Sequence, residues 1–392
     1  MTKKACIMVA ALVASAVGSA ALAADPIKIG VLTSFSGTLA PVGQQVKMGI
    51  ELAAKDINAG GGILKRPIQL VFEDDESNPQ VAARKAEKLY QQDKVDFITG
   101  TIHSGATLAL AQIAERNDKL AATTVSYSSN ITGAQCNPNM FRVNAHAGMQ
   151  AAALTTWLGK NVKGKRYVVV APDYEMGKDA GAWFEAGVKK SGGELVGRID
   201  PPLGAKDFST YFGTLRTSRP DVLITLTPGN DTVRLLSQMK EYGLIDGKLV
   251  LAGAAGAVSR GNIGALQGAA ENFLTAAGYS PDIDTPQSKK FVAEFQAMFG
   301  NTLPDLFAAD SYSVVTLVKV AAEKAGSFET AKLRAAIRNT AWDTPQGRKT
   351  MRPGDNQADL DMYIIQVKGQ DFTIVDRVPA AQVAGPDNCA RF

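Results

Sequence analysis

Val95-Asp96-Phe97-Ile98-Thr99-Gly100-Thr101-Ile102-His103-Ser104-Gly105-Ala106-Thr107 reads as a strand that runs straight into a helix. The apolar run through Ile98 supplies the strand, and Leu108, Leu110, Ile113 and Ala114 recur behind it with helical spacing. The cluster at the junction, Thr101 to Gly105, places a hydroxyl and free helix N–H groups at the carboxyl end of a strand. Open α/β sheets bind ligands there. N–H groups without intrahelical partners, added to the helix dipole, suit a carboxylate or another small anion, with Ser104 as its first contact. The competing reading makes Ser104 a plain helix cap, since Ser is a preferred capping residue.

Outward from this junction, strand-like and helix-like segments alternate, which is the mark of α/β layers on largely parallel sheets. Before it stand a strand at Ile27–Leu32, a helix at Val42–Ile57 stopped by Gly60-Gly61-Gly62, a strand at Ile68–Phe72 and a helix opened by Asn78-Pro79. After it comes a strand at Leu120–Val125. A second series starts near Ala145, with strands predicted at Arg166–Ala171, Glu194–Ile199, Val222–Leu226 and Leu249–Ala252. The helices between them are predicted at Met149–Leu158, Lys178–Ser191, Phe208–Arg216 and Thr232–Tyr242. Two further helices, Phe291–Phe299 and Leu306–Ala325, precede an antiparallel pair near Tyr363–Val367 and Phe372–Val378.

The amino terminus has Lys3 and Lys4, an uncharged run from Ala5 to Ala20, and Ala21-Leu22-Ala23 as a small-x-small cleavage site. This is the pattern of a secretory signal peptide over residues 1–23, cleaved after Ala23. No later stretch offers the roughly 18 apolar residues of a spanning helix. Losing two lysines lowers the formal charge from +4 to about +2, no basis for nucleic-acid binding. The remaining chain of about 369 residues exceeds what one core usually serves, so two domains are expected. Cys136 and Cys389 survive cleavage, and an oxidising compartment lets them form one disulfide; two unpaired thiols are the alternative.

The screen for chemistry is informative for what it lacks. His103 and His146 have no zinc-helix spacing, so no metal is expected. Ile102 breaks a Gly-x-Ser-x-Gly elbow at Ser104, and Gly60-Gly61-Gly62 follows a helix and lacks the Lys of a phosphate loop. With no nucleophile, base and orienter to assemble, an enzyme is disfavoured and no cofactor is called for. What remains is a second hydroxyl cluster, Ser126-Tyr127-Ser128-Ser129-Asn130, after the neighbouring strand, where hydroxyls, amide and N–H groups can face the same crevice as Ser104. A polar loop capping the next turn is the alternative.

The chain resembles the periplasmic solute-binding proteins of the branched-chain amino acid (leucine/isoleucine/valine-binding) type. The resemblance rests on Ile27-Lys28-Ile29-Gly30-Val31-Leu32-Thr33-Ser34-Phe35-Ser36-Gly37, on Ala54-Lys55-Asp56-Ile57-Asn58-Ala59-Gly60-Gly61-Gly62-Ile63 and on Glu73-Asp74-Asp75-Glu76-Ser77-Asn78-Pro79. Asn139-Met140-Phe141-Arg142-Val143, Asp173-Tyr174-Glu175-Met176-Gly177 and Lys206-Asp207-Phe208-Ser209 extend it along the whole mature chain. It implies a type I periplasmic binding protein fold, two Rossmann-like lobes joined by a three-crossing hinge. Lobe 1 would take residues 24–144 plus 279–352, and lobe 2 residues 145–278 plus 353–392. It further implies a monomer in the periplasm that buries a small anionic or zwitterionic ligand between the lobes and delivers it to an inner-membrane ABC permease. Ser104 and the loop holding Ser126, Ser128 and Asn130 would bind the ligand carboxylate, with Tyr174 closing over it and Phe307 as an aromatic wall.

Two places depart from the family pattern. Amino-acid binders hold the ligand ammonium with an acidic residue after the strand matching Leu249–Ala252 and with an aromatic after the strand matching Val222–Leu226. Here those places read Gly253-Ala254-Ala255-Gly256 and Thr227-Pro228-Gly229-Asn230-Asp231. A buried ammonium without a counter-charge costs several kcal/mol, so an aromatic acid, a keto acid or a neutral amide gains on a plain amino acid. Asp231 would substitute only through a shifted alignment, which is not expected. A sensory protein that signals through a membrane receptor would use the same fold and site.

Overall fold

Ile27, Ile29 and Val31 are fully buried, as are Gly30 and Leu32 on the opposite face, because the first strand is covered on both faces, the condition of a central strand in a parallel sheet. It belongs to a computed structural model that describes residues 25–385, 387 and 389–392. The expected signal peptide lies outside the described residues.

The first unit runs β1 (Ile27–Thr33), α1 (Ala40–Ala59), β2 (Ile68–Asp74), α2 (Pro79–Gln91), β3 (Phe97–Thr99), α3 (Ser104–Arg116), β4 (Leu120–Thr123) and β5 (Met140–Arg142). Its strands form an all-parallel sheet of order β2-β1-β3-β4-β5. The second unit follows with α4 (Ala147–Asn161), β6 (Arg166–Val170), α5 (Glu175–Lys190), β7 (Glu194–Ile199), α6 (Phe212–Ser218), β8 (Val222–Thr225), α7 (Gly229–Glu241), β9 (Val250–Gly253), α8 (Ile263–Leu266) and β10 (Leu274–Ala277). The chain then makes α9 (Pro286–Phe299), α10 (Leu306–Ala325) and α11 (Thr330–Ile337), the strands β11 (Ala341–Thr344), β12 (Gly347–Met351) and β13 (Ala358–Asp359), and the closing pair β14 (Met362–Lys368) and β15 (Asp371–Val378). The second sheet has the order β15-β14-β10-β9-β8-β6-β7, with β14 antiparallel to both β10 and β15. The expected antiparallel closing pair is therefore present, at the edge of a sheet whose other strands are parallel.

Both chain-order predictions place most elements within a few residues, and the differences have physical causes. α5 begins at Glu175, three residues ahead of the predicted Lys178, because Glu175 finds partners across the cleft. α11 and the small β11-β12-β13 sheet were not foreseen, since Ala341–Asp359 alternates polar and apolar residues over stretches too short to stand out. α10 is buried on nearly every side and returns to the first unit, packing on α1 so closely that a Cβ at Gly49 would lie 2.2 Å from the Ala308 carbonyl oxygen.

The chain changes sheets three times: between Arg142 and Ala147, between Ala277 and Pro286, and between Asp359 and Met362. The last change lies later than the boundary expected after Arg352, because Thr350 and Met351 pair with Asp359 and Ala358 and hold the chain beside the first unit. Nor does the tail stay with the second sheet. Arg352 donates to the Ala384 carbonyl oxygen at 2.8 Å, Arg391 bridges Glu115 at 2.6 Å, and the Arg338 guanidinium lies 4.1 Å from the Phe392 ring centre. Cys389 is bonded to Cys136, with Cα atoms 6.0 Å apart, so the alternative of two free thiols falls away.

This bridge ties two residues 253 positions apart and fixes a tail with little apolar content. The chain-entropy argument gives roughly 5 kcal/mol as an upper figure for so long a loop, and native bridges typically contribute about 2–4. Cys389→Ala should lower stability by about that smaller amount in urea unfolding and expose the tail to proteolysis near Arg391. Intact mass after alkylation without reductant should show no added label on the wild-type protein, and two labels would overturn the assignment.

Candidate functional site

The carboxyl ends of β3 and β4 and of β8 and β9 face one another across the two units, and a tightly closed cavity of about 30 Å³ lies between them. Leu39, Val42, Ile102, Val125, Tyr127 and Phe307 line it from the first unit. Tyr174, Met176, the segment Leu226–Gly229 and the segment Ala254–Ala257 line it from the second. No charged side chain is among these residues.

Three helices begin in this wall. α1 starts after Leu39, α5 after Tyr174 and α7 after Pro228, and in each the capping residue offers no side-chain acceptor to the first N–H groups. Their positive dipole ends face an apolar chamber, while backbone carbonyl oxygens take the first N–H groups of α1 and the Asn230 N–H of α7, and Glu175 and Asp231 lie in the first turns of α5 and α7. α3 differs. His103 caps it, its Nδ1 accepting the Gly105 N–H at 3.1 Å, and burial pushes the imidazole down to about 4, so it is neutral at ordinary pH. Its ring also packs against that of Tyr174, tilted and 5.0 Å between centres, across the two units. His146 caps α4 in the same way, its Nδ1 accepting the Gly148 N–H at 3.0 Å.

Of the residues expected at the ligand, Tyr174 and Phe307 line the cavity and Ser104, Ser126, Ser128 and Asn130 do not. Ser104 is not the cap of α3 either. It is fully buried in the first helical turn, where its Oγ accepts the Ser128 N–H at 3.2 Å. Ser126 Oγ is taken up by the Ile102 and Thr101 carbonyl oxygens, at 2.9 and 3.2 Å, and by the Thr107 hydroxyl at 2.5 Å. Side chains along this loop alternate in direction, so Val125 and Tyr127 face the cavity while Ser126 and Ser128 turn from it. The sequence cannot say which set faces inward, and Tyr127 was missed for that reason. Its hydroxyl is buried without a hydrogen-bond partner among the described residues, and burial raises its pKa far above the usual tyrosine value.

Ser128, Ser129 and Asn130 instead join the two units. Ser128 Oγ and Asn130 Nδ2 both donate to Glu175 Oε1, at 2.8 and 2.9 Å. The Ser129 N–H and hydroxyl each donate to Asp179 at 2.6 Å, and Trp183 Nε1–H donates to Ser129 Oγ at 2.9 Å. Burial pushes the Asp179 carboxyl above its ordinary range. These bonds exist only while α5 lies against the Ser128–Asn130 turn, so they form a clasp that closes the cavity.

The candidate substitute for an ammonium partner is occupied elsewhere. Asp231 is buried, pairs with Arg234 and accepts the Gly204 N–H at 2.7 Å, and it is not a lining residue. Ala254, Ala255 and Gly256 line the wall where amino-acid binders would place the acid. Gly256 has φ +76°, and a Cβ there would sit 2.1 Å from Cζ of Phe307, so this glycine makes room for the ring.

Residues 26–371 match the sequence profile of the family described as periplasmic binding protein. A Leu/Ile/Val-binding protein homolog of Brucella melitensis is 27% identical over 317 residues, covering 81% of this chain and 84% of the relative. Among solved structures, a solute-binding protein of an ABC transporter from Rhodopseudomonas palustris, in complex with 3,4-dihydroxybenzoic acid, superposes with TM-score 0.84 at 26% identity, covering 91% of this chain and 98% of that one. A leucine-binding protein from Thermotoga maritima superposes with TM-score 0.83 at 25% identity, covering 90% and 99%.

Two outcomes follow from the clasp and the glycine. Asp179→Ala removes charge-assisted bonds made only on closure, each worth roughly 1.5–3 kcal/mol, so ligand affinity should fall about tenfold or more in calorimetry while the ligand-free melting temperature hardly moves. Unchanged affinity would show that the clasp does not contribute to closure. Gly256→Ala should displace Phe307 and both destabilise the protein, by about 1–3 kcal/mol, and abolish binding; a variant that melts and binds normally would show that the ring yields freely.

Proposed function

Because the chain belongs to the periplasmic binding protein family, we propose that it captures a small apolar carboxylate lacking an α-ammonium group, an aromatic acid or a branched keto acid, between its two lobes. It then hands this ligand to an ATP-driven inner-membrane permease. The family and the fold are those of solute-binding transport proteins. Export to the periplasm through the amino-terminal signal completes the reading.

The observation that carries the ligand class is the cavity wall: uncharged side chains, no carboxylate, and the start of α5, which has no side-chain cap. Helix N-termini can stabilise a ligand carboxylate, while an ammonium buried beside Ala254 and Ala255 would have no counter-charge. Tyr127, Tyr174 and Phe307 supply aromatic surface, and the unpartnered Tyr127 hydroxyl offers a donor to the ligand anion. Ser104 fixes Ser128 and thereby the loop that presents Tyr127. The two similar structures lie on either side of the choice, one named for leucine and the other bound to a dihydroxybenzoic acid. The missing acid favours the second kind.

Calorimetry with benzoate, 4-methyl-2-oxopentanoate and leucine tests this directly. At least one of the two acids should bind with a stoichiometry of one, and leucine should bind at least about a hundredfold more weakly, the consequence of several kcal/mol for an unpaired buried charge. Leucine binding as tightly as either acid would overturn the assignment. Tyr127→Phe should cost the bound acid about tenfold in affinity with little change in melting temperature.

A further inference from the structure

After its last strand the chain passes between the units a fourth time. Val378 ends β15 paired with Met362, the first residue of β14, so the tail leaves the second sheet beside the third crossing. Asp361, inside that crossing, pairs with Arg377 and accepts the Ala380 N–H at 2.9 Å. Four residues later the tail is on the first unit. Arg352 Nη1 donates to the Ala384 and Gly385 carbonyl oxygens, at 2.8 and 3.3 Å, and the Cys389 N–H donates to the Gly354 carbonyl oxygen at 3.0 Å. Arg352 is 7% exposed and gives its Nε and Nη2 to Asp355, so the tail carbonyls complete the shell of a buried cation.

The point of anchorage matters as much as the path. Cys136 lies in the connection from β4 to β5, which also turns Tyr127 into the cavity and carries the Ser128–Asn130 clasp. Clasp turn and cysteine are tied together within it: the Gln135 N–H donates to the Asn130 carbonyl oxygen at 2.8 Å, and the Cys136 N–H to that of Gly133 at 3.0 Å. A covalent path thus runs from β15, in the sheet that carries α5, to the turn that α5 meets on closure. The bridge is what holds it, since Cys389 is the only buried residue among the described part of 384–392.

We propose that the carboxyl-terminal tail, locked by the Cys136–Cys389 bridge, is a strap that restrains the hinge and keeps the Ser128–Asn130 turn in register with α5 as the units open and close. From Ala380 to Ala384 the strap spans four residues and reaches at most roughly 14 Å, so the edge of the hinge beside the third crossing cannot lengthen far. Two short crossings side by side also resist the twist that one strand permits through its soft φ and ψ angles. The motion left is a bend about that edge. A bend returns Ser129 to Asp179 and both Ser128 and Asn130 to Glu175, whereas a twist carries the turn past α5. The strap thereby holds the two halves of the clasp at high effective concentration even when they are parted. The inference rests on the clasp as a closing contact and not on the identity of the ligand.

Hydrogen exchange of the Ser129 N–H reads the clasp directly, because its acceptor is Asp179 of the other unit. The Ala121 N–H, bonded to the Asn139 carbonyl oxygen inside the first unit, reports unfolding of that unit. In the ligand-free protein, the double substitution Cys136→Ala, Cys389→Ala should speed exchange at Ser129 about tenfold relative to wild type, with Ser129 still exchanging well ahead of Ala121. If the double variant does not fold, the same two amides are followed in wild-type protein before and after reduction by a phosphine, with the same expectation. An unchanged rate at Ser129 without the bridge would overturn the strap. So would Ser129 and Ala121 exchanging together, which would make the tail a brace of the first unit alone.

Discussion

A single buried cation organises the region where the two units meet. Arg142 ends β5, is fully buried, and burial lowers its pKa to about 9, which still leaves it charged at neutral pH. Its guanidinium donates to Gln357 Oε1 at 2.6 Å, to the Ser128 and Ser126 carbonyl oxygens at 2.5 and 3.4 Å, and to the Thr132 hydroxyl. An isolated ion in such a place would cost several kcal/mol, so these acceptors are obligatory, and each comes from a segment that must be held still. Gln357 belongs to the approach to the third crossing and donates on to the Asn144 carbonyl oxygen of the first. The cavity-facing loop and two of the three crossings are thereby one hydrogen-bonded body.

That body sorts the side chains of Ser126-Tyr127-Ser128. With the carbonyl oxygens of Ser126 and Ser128 drawn to Arg142, Tyr127 is directed into the cavity and the two serine hydroxyls toward α3 and α5. A second buried pair, Lys349 with Asp310 at 2.8 Å, does comparable work nearby, since Lys349 also donates to the Val143 carbonyl oxygen at 2.9 Å. Both ion sites draw late segments of the chain to the first crossing.

Periodicity made most of this fold legible, because a strand buried on both faces and a helix buried on one leave marks that depend only on nearest neighbours in sequence. Ile27–Leu32 and Val222–Leu226 are of that kind. The junction at Thr101–Gly105 was legible as a binding edge, and Ile102 does line the cavity. What sequence could not supply was anything set by a distant partner. Ser104 takes neither expected part, ligand contact nor cap, because its hydroxyl meets Ser128, 24 positions on, while the His103 imidazole takes the cap. The third crossing was misplaced because β13 pairs across a turn whose two strands are too short to announce themselves. Nothing beside Phe141 and Val143 marks Arg142 as buried, and its four acceptors, one of them 215 positions on at Gln357, reveal it.

The acidic residues of the second unit then explain the character of the cavity. Glu175 and Asp179 are committed to the Ser128–Asn130 turn, and Asp231 to Arg234 and the Gly204 N–H, so none of the three is directed at a ligand. Carboxylates that close the protein and carboxylates that hold an ammonium compete for the same short reach from the ends of β6, β8 and β9. This chain places them all on the protein side and leaves main-chain dipoles and aromatic faces toward the guest. On the proposed reading, closure and ligand charge are met by separate groups: the clasp is fixed for any ligand that fits, and selection falls to the shape and hydrogen bonding of the chamber walls. An anion suits such a division because helix starts supply its counter-charge without a side chain that would otherwise need pairing in the open, ligand-free protein.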